Sequence, residues 1–188
     1  MPIDVKTRIV EAFVKLSKEK NIDKITVKDI VDECGISRQA FYYHFQDILE
    51  VIEWATEQAF QKLLERSLAL DDPEAVLREF ITALEEKNVL LQKLLNSQKR
   101  EQIERLMVRS VRAYLRELIE RKGAKPDIPY ENVEIALSFC TYGIVGLLLE
   151  CCEKKSADRD RLAGQMRRLL SGRIEAERAG HAGAPILP

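Results

Sequence analysis

Apolar residues recur at helical intervals along most of the chain, and strand-like alternation is nearly absent. Ile9, Ala12, Phe13 and Leu16 share one face of a first helix, expected to start at Asp4 and run to about Lys20. Asn21 to Ile25 reads as a turn. Thr26-Val27-Lys28-Asp29 is a capping box, in which hydroxyl and carboxylate satisfy the orphan amides of a helix start. The helix it opens carries Val27, Ile30, Val31 and Cys34 inward and stops at Gly35, where positive φ is cheap. Ser37 caps a third, short helix from Arg38 to about His44, and Asp47 with Glu50 opens a fourth that runs to about Leu68.

Asp71-Asp72-Pro73-Glu74 is the clearest boundary, a capping aspartate followed by proline at the first helical position. Two or three helices are expected between 73 and 122, ending at Gly123, and Pro126 with Pro129 marks a loop. A very apolar helix follows from 130 to about 153, then an amphipathic one from Ala157 to Leu170 that ends at Gly172. The fold class is all-α, with about nine helices. Residues 1–48 form a helix-turn-helix unit, 49–172 a helical regulatory and dimerisation unit, and 173–188 a loosely ordered tail.

Within the first unit, packing Phe41 and Phe45 inward leaves Arg38, Gln39, Tyr42, Tyr43 and His44 pointing out of the third helix. These residue types read nucleic acid. Arginine forks onto guanine, glutamine onto adenine, and tyrosine or histidine reaches phosphate or a thymine methyl. Arg38 and Gln39 lie at the helix start, the end a helix-turn-helix inserts into the major groove, and Thr26 and Ser37 place helix N-termini where phosphate is favoured. A plain helical hairpin with a solvated polar face explains the geometry equally well, but not two adjacent tyrosines and a histidine on an exposed short helix.

Charge gives no help. The formal net charge is −1, and residues 1–50 hold 8 Lys+Arg against 9 Asp+Glu, so nucleic-acid binding has to come from a local patch. The N-terminus shows no signal or transit segment, which points to the cytoplasm. Cys34, Cys140, Cys151 and Cys152 form no Cys-x-x-Cys pair, and with only His44 and His181 beside them no metal or other cofactor is expected. The cysteines read as small buried hydrophobes, with oxidation sensing by Cys151-Cys152 as the minority alternative.

The run from Ile9 to Val51, above all Gly-Ile-Ser followed by Phe-Tyr-Tyr-His-Phe, resembles the DNA-binding domain of the tetracycline-repressor (TetR) family. The resemblance implies a homodimeric transcriptional regulator, commonly a repressor, that binds a palindromic operator. It also implies a divergent C-terminal part for dimerisation and for a small-molecule effector. It places phosphate contacts at Thr26, Ser37, Tyr43 and His44, and base-facing positions at Arg38, Gln39 and Tyr42. One departure stands out: Gln46, Asp47 and Ile48 occupy positions where the family commonly carries two lysines, so non-specific affinity and salt dependence should both fall. The order Arg-Gln-Ala-Phe-Tyr-Tyr-His-Phe-Gln-Asp-Ile, with Tyr-Gly-Ile-Val-Gly-Leu-Leu later, also looks like a subgroup that includes dihydroxyacetone-kinase operon regulators, some of them activators working through a partner protein. The sign of control stays open.

From Ile135 to Leu149 the chain is apolar nearly all round; fifteen residues span about 22 Å, too short for a bilayer core. Such a helix is either the centre of a monomer or packed on one side in the monomer and on the other against a second copy. The dimer reading places Phe139, Tyr142, Gly143, Gly146 and Leu147, with Leu162, Met166, Leu169 and Leu170 of the last helix, at the interface. It would also hold two recognition helices about one DNA turn (~34–36 Å) apart. Trp54, Phe60, Phe80, Tyr114, Phe139 and Tyr142 are conceivable pocket-lining residues, though aromatics at this spacing are more often core.

Residues 93–125 carry 10 Lys+Arg against 4 Asp+Glu, and Arg105, Arg109, Arg112 and Arg116 share a helix face. That stripe is a solvated, partly paired surface or a docking face for an acidic partner protein or an anionic effector. An enzyme has no support, since no nucleophile motif or phosphate loop is present. The alternative to a regulator is a helical adaptor acting through protein–protein contacts with weak DNA binding.

Overall fold

The computed structural model describes residues 4–123 and 130–153, and among them the helical periodicity becomes seven α-helices and one 3₁₀ turn. They are α1 (Val5–Glu19), the 3₁₀ turn Ile22–Lys24, α2 (Val27–Cys34), α3 (Arg38–His44), α4 (Ile48–Leu68), α5 (Pro73–Leu95), α6 (Arg100–Arg121) and α7 (Tyr130–Glu153). The all-α expectation holds. The expected number of about nine does not match. Residues 73–122 make two long helices, the lower of the two or three expected, because Asn96 to Lys99 is the only break in that stretch. The expected helix at 157–170 and the tail at 173–188 lie outside the described residues.

Local chemistry sets most boundaries. Asp72 accepts the Ala75 amide at 3.0 Å, and Gly35 and Gly123 end α2 and α6 with φ of +66° and +63°. Two caps differ from expectation. Asp4 stands at the N-cap of α1, but its side chain makes no capping bond. Asp47 caps α4 through the Glu50 amide at 2.9 Å, yet the Glu50 carboxylate reaches back to the amide of Gln46 instead of Asp47.

One continuous apolar cluster runs from Ile9 and Phe13 of α1, through Val51 and Leu64 of α4 and Ile103 and Val111 of α6, to Leu148 of α7. Helices α1 to α3 form a head. Helix α4 leads from it into a body in which α6 packs against α4, α5 and α7. In the middle of the body the Ser67 and Tyr114 hydroxyls share a buried hydrogen bond of 2.8 Å, with the Phe60 and Phe80 rings 6.1 and 5.4 Å from that of Tyr114. Burial pushes the Tyr114 phenol up, and the Ser67 hydrogen bond partly opposes it. At the far end, the Lys122 amine donates to the carbonyl of Leu70, joining the C-terminal ends of α6 and α4.

Helix α7 spans Tyr130–Glu153, 24 residues, in agreement with the helix expected from 130 to about 153. By length and composition alone, Asn132–Glu150 is apolar enough to cross a membrane, a longer stretch than the fifteen-residue run from Ile135 to Leu149. Within the described residues α7 is buried on one side only. Leu137, Thr141, Ile144, Val145 and Leu148 pack inward, while Ile135, Phe139 and Tyr142 face out, Phe139 at 80% exposure.

Ser67→Ala or Tyr114→Phe should each cost about 1–3 kcal/mol, because each leaves the other hydroxyl buried without its partner. The double variant should cost less than the sum of the two. Chemical denaturation checks this; strict additivity would mean the hydroxyls do not depend on each other.

Candidate nucleic-acid interface

The head is assembled by α1. Its Lys15 pairs with Glu33 at 2.5 Å and Lys20, just after it, with Asp29 at 2.7 Å, while the Arg8 guanidinium donates to the carbonyl of Cys34, the last residue of α2. Two cations of this helix and the lysine that follows it are thus spent on holding α2. Where α2 begins, the expected capping box is present: Thr26 Oγ1 accepts the Asp29 amide at 3.2 Å, and the Asp29 carboxylate accepts the Thr26 amide at 2.9 Å. Hydrogen bonds from Lys20 and then from Thr26 hold the Asp29 carboxyl far below the ordinary carboxylate range.

Gly35 turns the chain, the Ile36 amide donates to Val31 at 3.1 Å, and Ser37 Oγ accepts the Ala40 amide at 3.1 Å to start α3. Phe41 and Phe45 are buried, with ring centroids 6.1 Å apart, and Phe45 meets Trp54 of α4 edge-on at 6.1 Å. Burying those two rings turns the opposite side of α3 outward. Thr26, Ser37, Arg38, Gln39, Tyr42 and Tyr43 are exposed, Tyr43 at 84%. His44 departs from expectation: it is half-buried, its ring packed edge-on against Tyr43 at 4.9 Å, because it lies beside the inward-facing Phe45.

Asp47, at the polar position between the two missing lysines, caps α4, and nothing in the structure explains Gln46 and Ile48. Beside that cap stands a cation the sequence did not single out. Lys6 Nζ lies 5.3 Å from the Phe45 ring and 5.8 Å from Trp54, a placement that depends on α1 crossing α4.

On the body, Phe139, Tyr142, Gly143 and Gly146 are exposed along α7 and Leu147 is half-buried. Glu134, Ile135, Ser138, Phe139, Tyr142 and Gly143 line an open groove of about 630 Å³ there. Leu162, Met166, Leu169 and Leu170 lie outside the described residues. Cys140 is exposed, not buried as expected, because it shares the open side of α7; Cys34 and Cys152 are half-buried. The six aromatics considered for a pocket do not converge: Trp54 belongs to the head, Phe60, Phe80 and Tyr114 to the body core, and Phe139 and Tyr142 to the open face.

The arginine stripe is largely consumed within the chain. Arg105 pairs with Glu101 at 2.7 Å and Arg109 with Glu53 of α4 at 3.2 Å, while Arg112 and Arg116 converge on Glu134 of α7 at 2.8 and 3.1 Å. It ties α6 to its neighbours.

Comparison with known proteins agrees with this geometry. The profile described as "Bacterial regulatory proteins, tetR family" matches residues 9–53, and that described as "Transcriptional regulator C-terminal region" matches residues 71–172. The uncharacterized HTH-type transcriptional regulator YerO of Bacillus subtilis (strain 168) is 33% identical over 84 residues, covering 42% of this chain and 29% of that protein. YuxN of the same organism, described in the same terms, is 30% identical over 86 residues, covering 44% and 29%. The matched stretch thus spans under a third of each relative's length. Among solved structures, the dihydroxyacetone kinase operon activator DhaS superposes with a TM-score of 0.68 at 22% identity, over 90% of this chain and 95% of that one. A TetR-family transcriptional regulator from Syntrophomonas wolfei superposes with a TM-score of 0.53 at 14% identity, over 91% and 97%. Both likenesses are of fold.

The lowered Asp29 pKa makes a pH prediction. A depressed carboxyl stabilises the fold while ionised, and that contribution is lost as pH falls below the ordinary value of about 3.9 toward the folded one. Asp29→Asn should therefore be less stable than wild type at pH 7, with the difference shrinking below about pH 4. Thermal melts at pH 7 and pH 3 test this; an unchanged difference would remove Asp29 from the head's ion-pair scheme.

Proposed function

The chain belongs to the tetR family of bacterial regulatory proteins, DNA-binding transcriptional regulators, and on that premise we propose that it binds a palindromic operator as a homodimer. The observation that carries this is α3: Phe41 and Phe45 are buried, so Arg38, Gln39, Tyr42 and Tyr43 stand out together on its other side. Arg38 and Gln39 in its first turn read base edges with Tyr42. Thr26, Ser37, Tyr43 and the half-exposed His44 hold phosphate. Residues 1–48 do the DNA binding and 49–172 the regulation and dimerisation.

The open side of α7 supports the dimer. A contiguous apolar strip of Ile135, Phe139 and Tyr142, with Gly143 and Gly146 beside it, is the kind of exposed patch that marks a protein interface. A second copy packed along it covers those rings and sets the two heads one helical turn of DNA apart. Control comes from an effector or a partner protein acting on the body. Among the described residues the cleft between α4 and α6, lined by Glu57, Phe60, Ser110 and Tyr114, is about 180 Å³, under the ~300–1,000 Å³ usual for a drug-sized ligand. The open groove along α7, at about 630 Å³, lies within that range. An adaptor with little DNA binding keeps one of its two motives, the missing lysines at 46–48, while the arginine stripe is engaged within the chain.

Selection of bound duplexes from a random pool tests the reading; an enriched inverted repeat is expected, and no enrichment at low salt would overturn it. Arg38→Ala and Tyr42→Ala should each weaken specific binding by about 1–3 kcal/mol with helicity and dimerisation intact, as read by titration and circular dichroism. Gly146→Asp should yield a folded monomer. A side chain at Gly146 meets nothing within 4 Å inside the chain, whereas in the dimer the charge is desolvated without a partner. Sedimentation that still shows a dimer would exclude α7 from the interface.

A further inference from the structure

Two polar contacts join the head to the body across long sequence separations, and both use the ends of helices. The last carbonyls of a helix have no partner within it. Here Lys93, near the end of α5, donates from Nζ to the carbonyls of Ser17 and Lys18 at the end of α1, at 2.5 and 3.1 Å. On the other side of the same seam, the Gln98 amide in the α5–α6 corner donates to both carboxylate oxygens of Asp23, at 3.0 and 3.2 Å. Head supplies acceptors and body supplies donors at both points.

Each contact is anchored at its back. Asp23 sits in the 3₁₀ turn, where Asn21 Oδ1 accepts its amide at 2.8 Å. The α5–α6 corner is braced by Ser97, whose hydroxyl donates to Leu94 at 2.6 Å and accepts the Lys99 amide at 3.2 Å. Three residues after Asp23 the chain reaches Thr26, the cap of α2, so the clasp is close-coupled to the helix-turn-helix. Between the two contacts lie buried Ile22, Leu94 and Leu95. Apolar contact has no direction and tolerates sliding; hydrogen bonds weaken steeply with angle.

We propose that Asp23 and Lys93 are positioning residues that clasp the head to the body at one angle and so set the half-site spacing the dimer accepts. The inference rests on the dimeric reading above. Successive base pairs are ~3.4 Å apart along DNA, so a small swing of each head changes which spacing both α3 helices reach. Neither residue touches a base, and their loss leaves the preferred half-site sequence unchanged.

The experiment uses the full chain and the duplex pool, with Asp23→Ala/Lys93→Met compared with wild type and with Lys93→Arg. Wild type should enrich one spacing. The double variant should enrich the same half-site over several neighbouring spacings, with its preference for the best operator over one longer by a base pair falling at least fivefold. Lys93→Arg, which keeps donors on the α1 carbonyls, should retain the wild-type preference. Hydrogen exchange gives a readout independent of DNA: the Gln98 amide should exchange at least tenfold faster in Asp23→Ala. A double variant as selective for spacing as wild type overturns the clasp while leaving the dimeric reading intact. Failure of wild type to enrich any paired half-sites overturns the dimeric reading and the spacing claim with it. Unchanged Gln98 exchange in Asp23→Ala overturns the contact itself.

Discussion

Helix α3 has seven residues, about two turns, and a helix that short does not persist in water on its own. Its existence depends on the burial of Phe41 and Phe45. Those rings belong to one apolar cluster with Ile9, Phe13, Ile30 and Val51, contributed by α1, α2 and α4. The same burial aims the helix: with positions 41 and 45 inward, positions 38, 39, 42 and 43 have nowhere to go but out. The packing of α3 and the direction its polar side faces are consequences of one constraint.

Electrostatics serve assembly before recognition. Arg8 and Lys15 of α1 and Lys20 just after it hold α2, and Arg109, Arg112 and Arg116 of α6 hold α4 and α7. These pairs lie at the surface, where each is worth little by itself, so their role is to fix register between helices already joined by apolar contact. A chain with net charge −1 and so many committed cations has little excess to attract a phosphate backbone from a distance.

Helix α7 is the opposite case, with a surface left over after the monomer is packed. Thr141 faces the core, where its hydroxyl donates to the Leu137 carbonyl at 2.7 Å, and the polar group is satisfied within the helix. The large residues Ile135, Phe139 and Tyr142 remain outside. Apolar residues all round the helix thus give one face packed in the core and one face open.

Short-range rules were legible. The Thr26–Asp29 box, the Ser37 and Asp72 caps, the glycine ends at 35 and 123, and the inward faces of α1 to α3 all follow from residues within about four positions of each other, which is the reach of helix geometry. The family resemblance and the outward set on α3 came from that same local pattern. What lay beyond it joins residues far apart in the chain: Lys6 on the rings of Phe45 and Trp54, Arg112 on Glu134, Lys93 on the end of α1, Asp23 on Gln98. Likewise the half-burial of His44 and the exposure of Cys140 depend on where neighbouring helices lie. Sequence by itself determined the helices, their stops and the side of α3 that meets solvent, because one turn of backbone suffices to decide them. Only the tertiary structure decided which charges are spent, which face of α7 stays open and how the head is tied to the body, because those depend on the crossing of helices that no local period encodes.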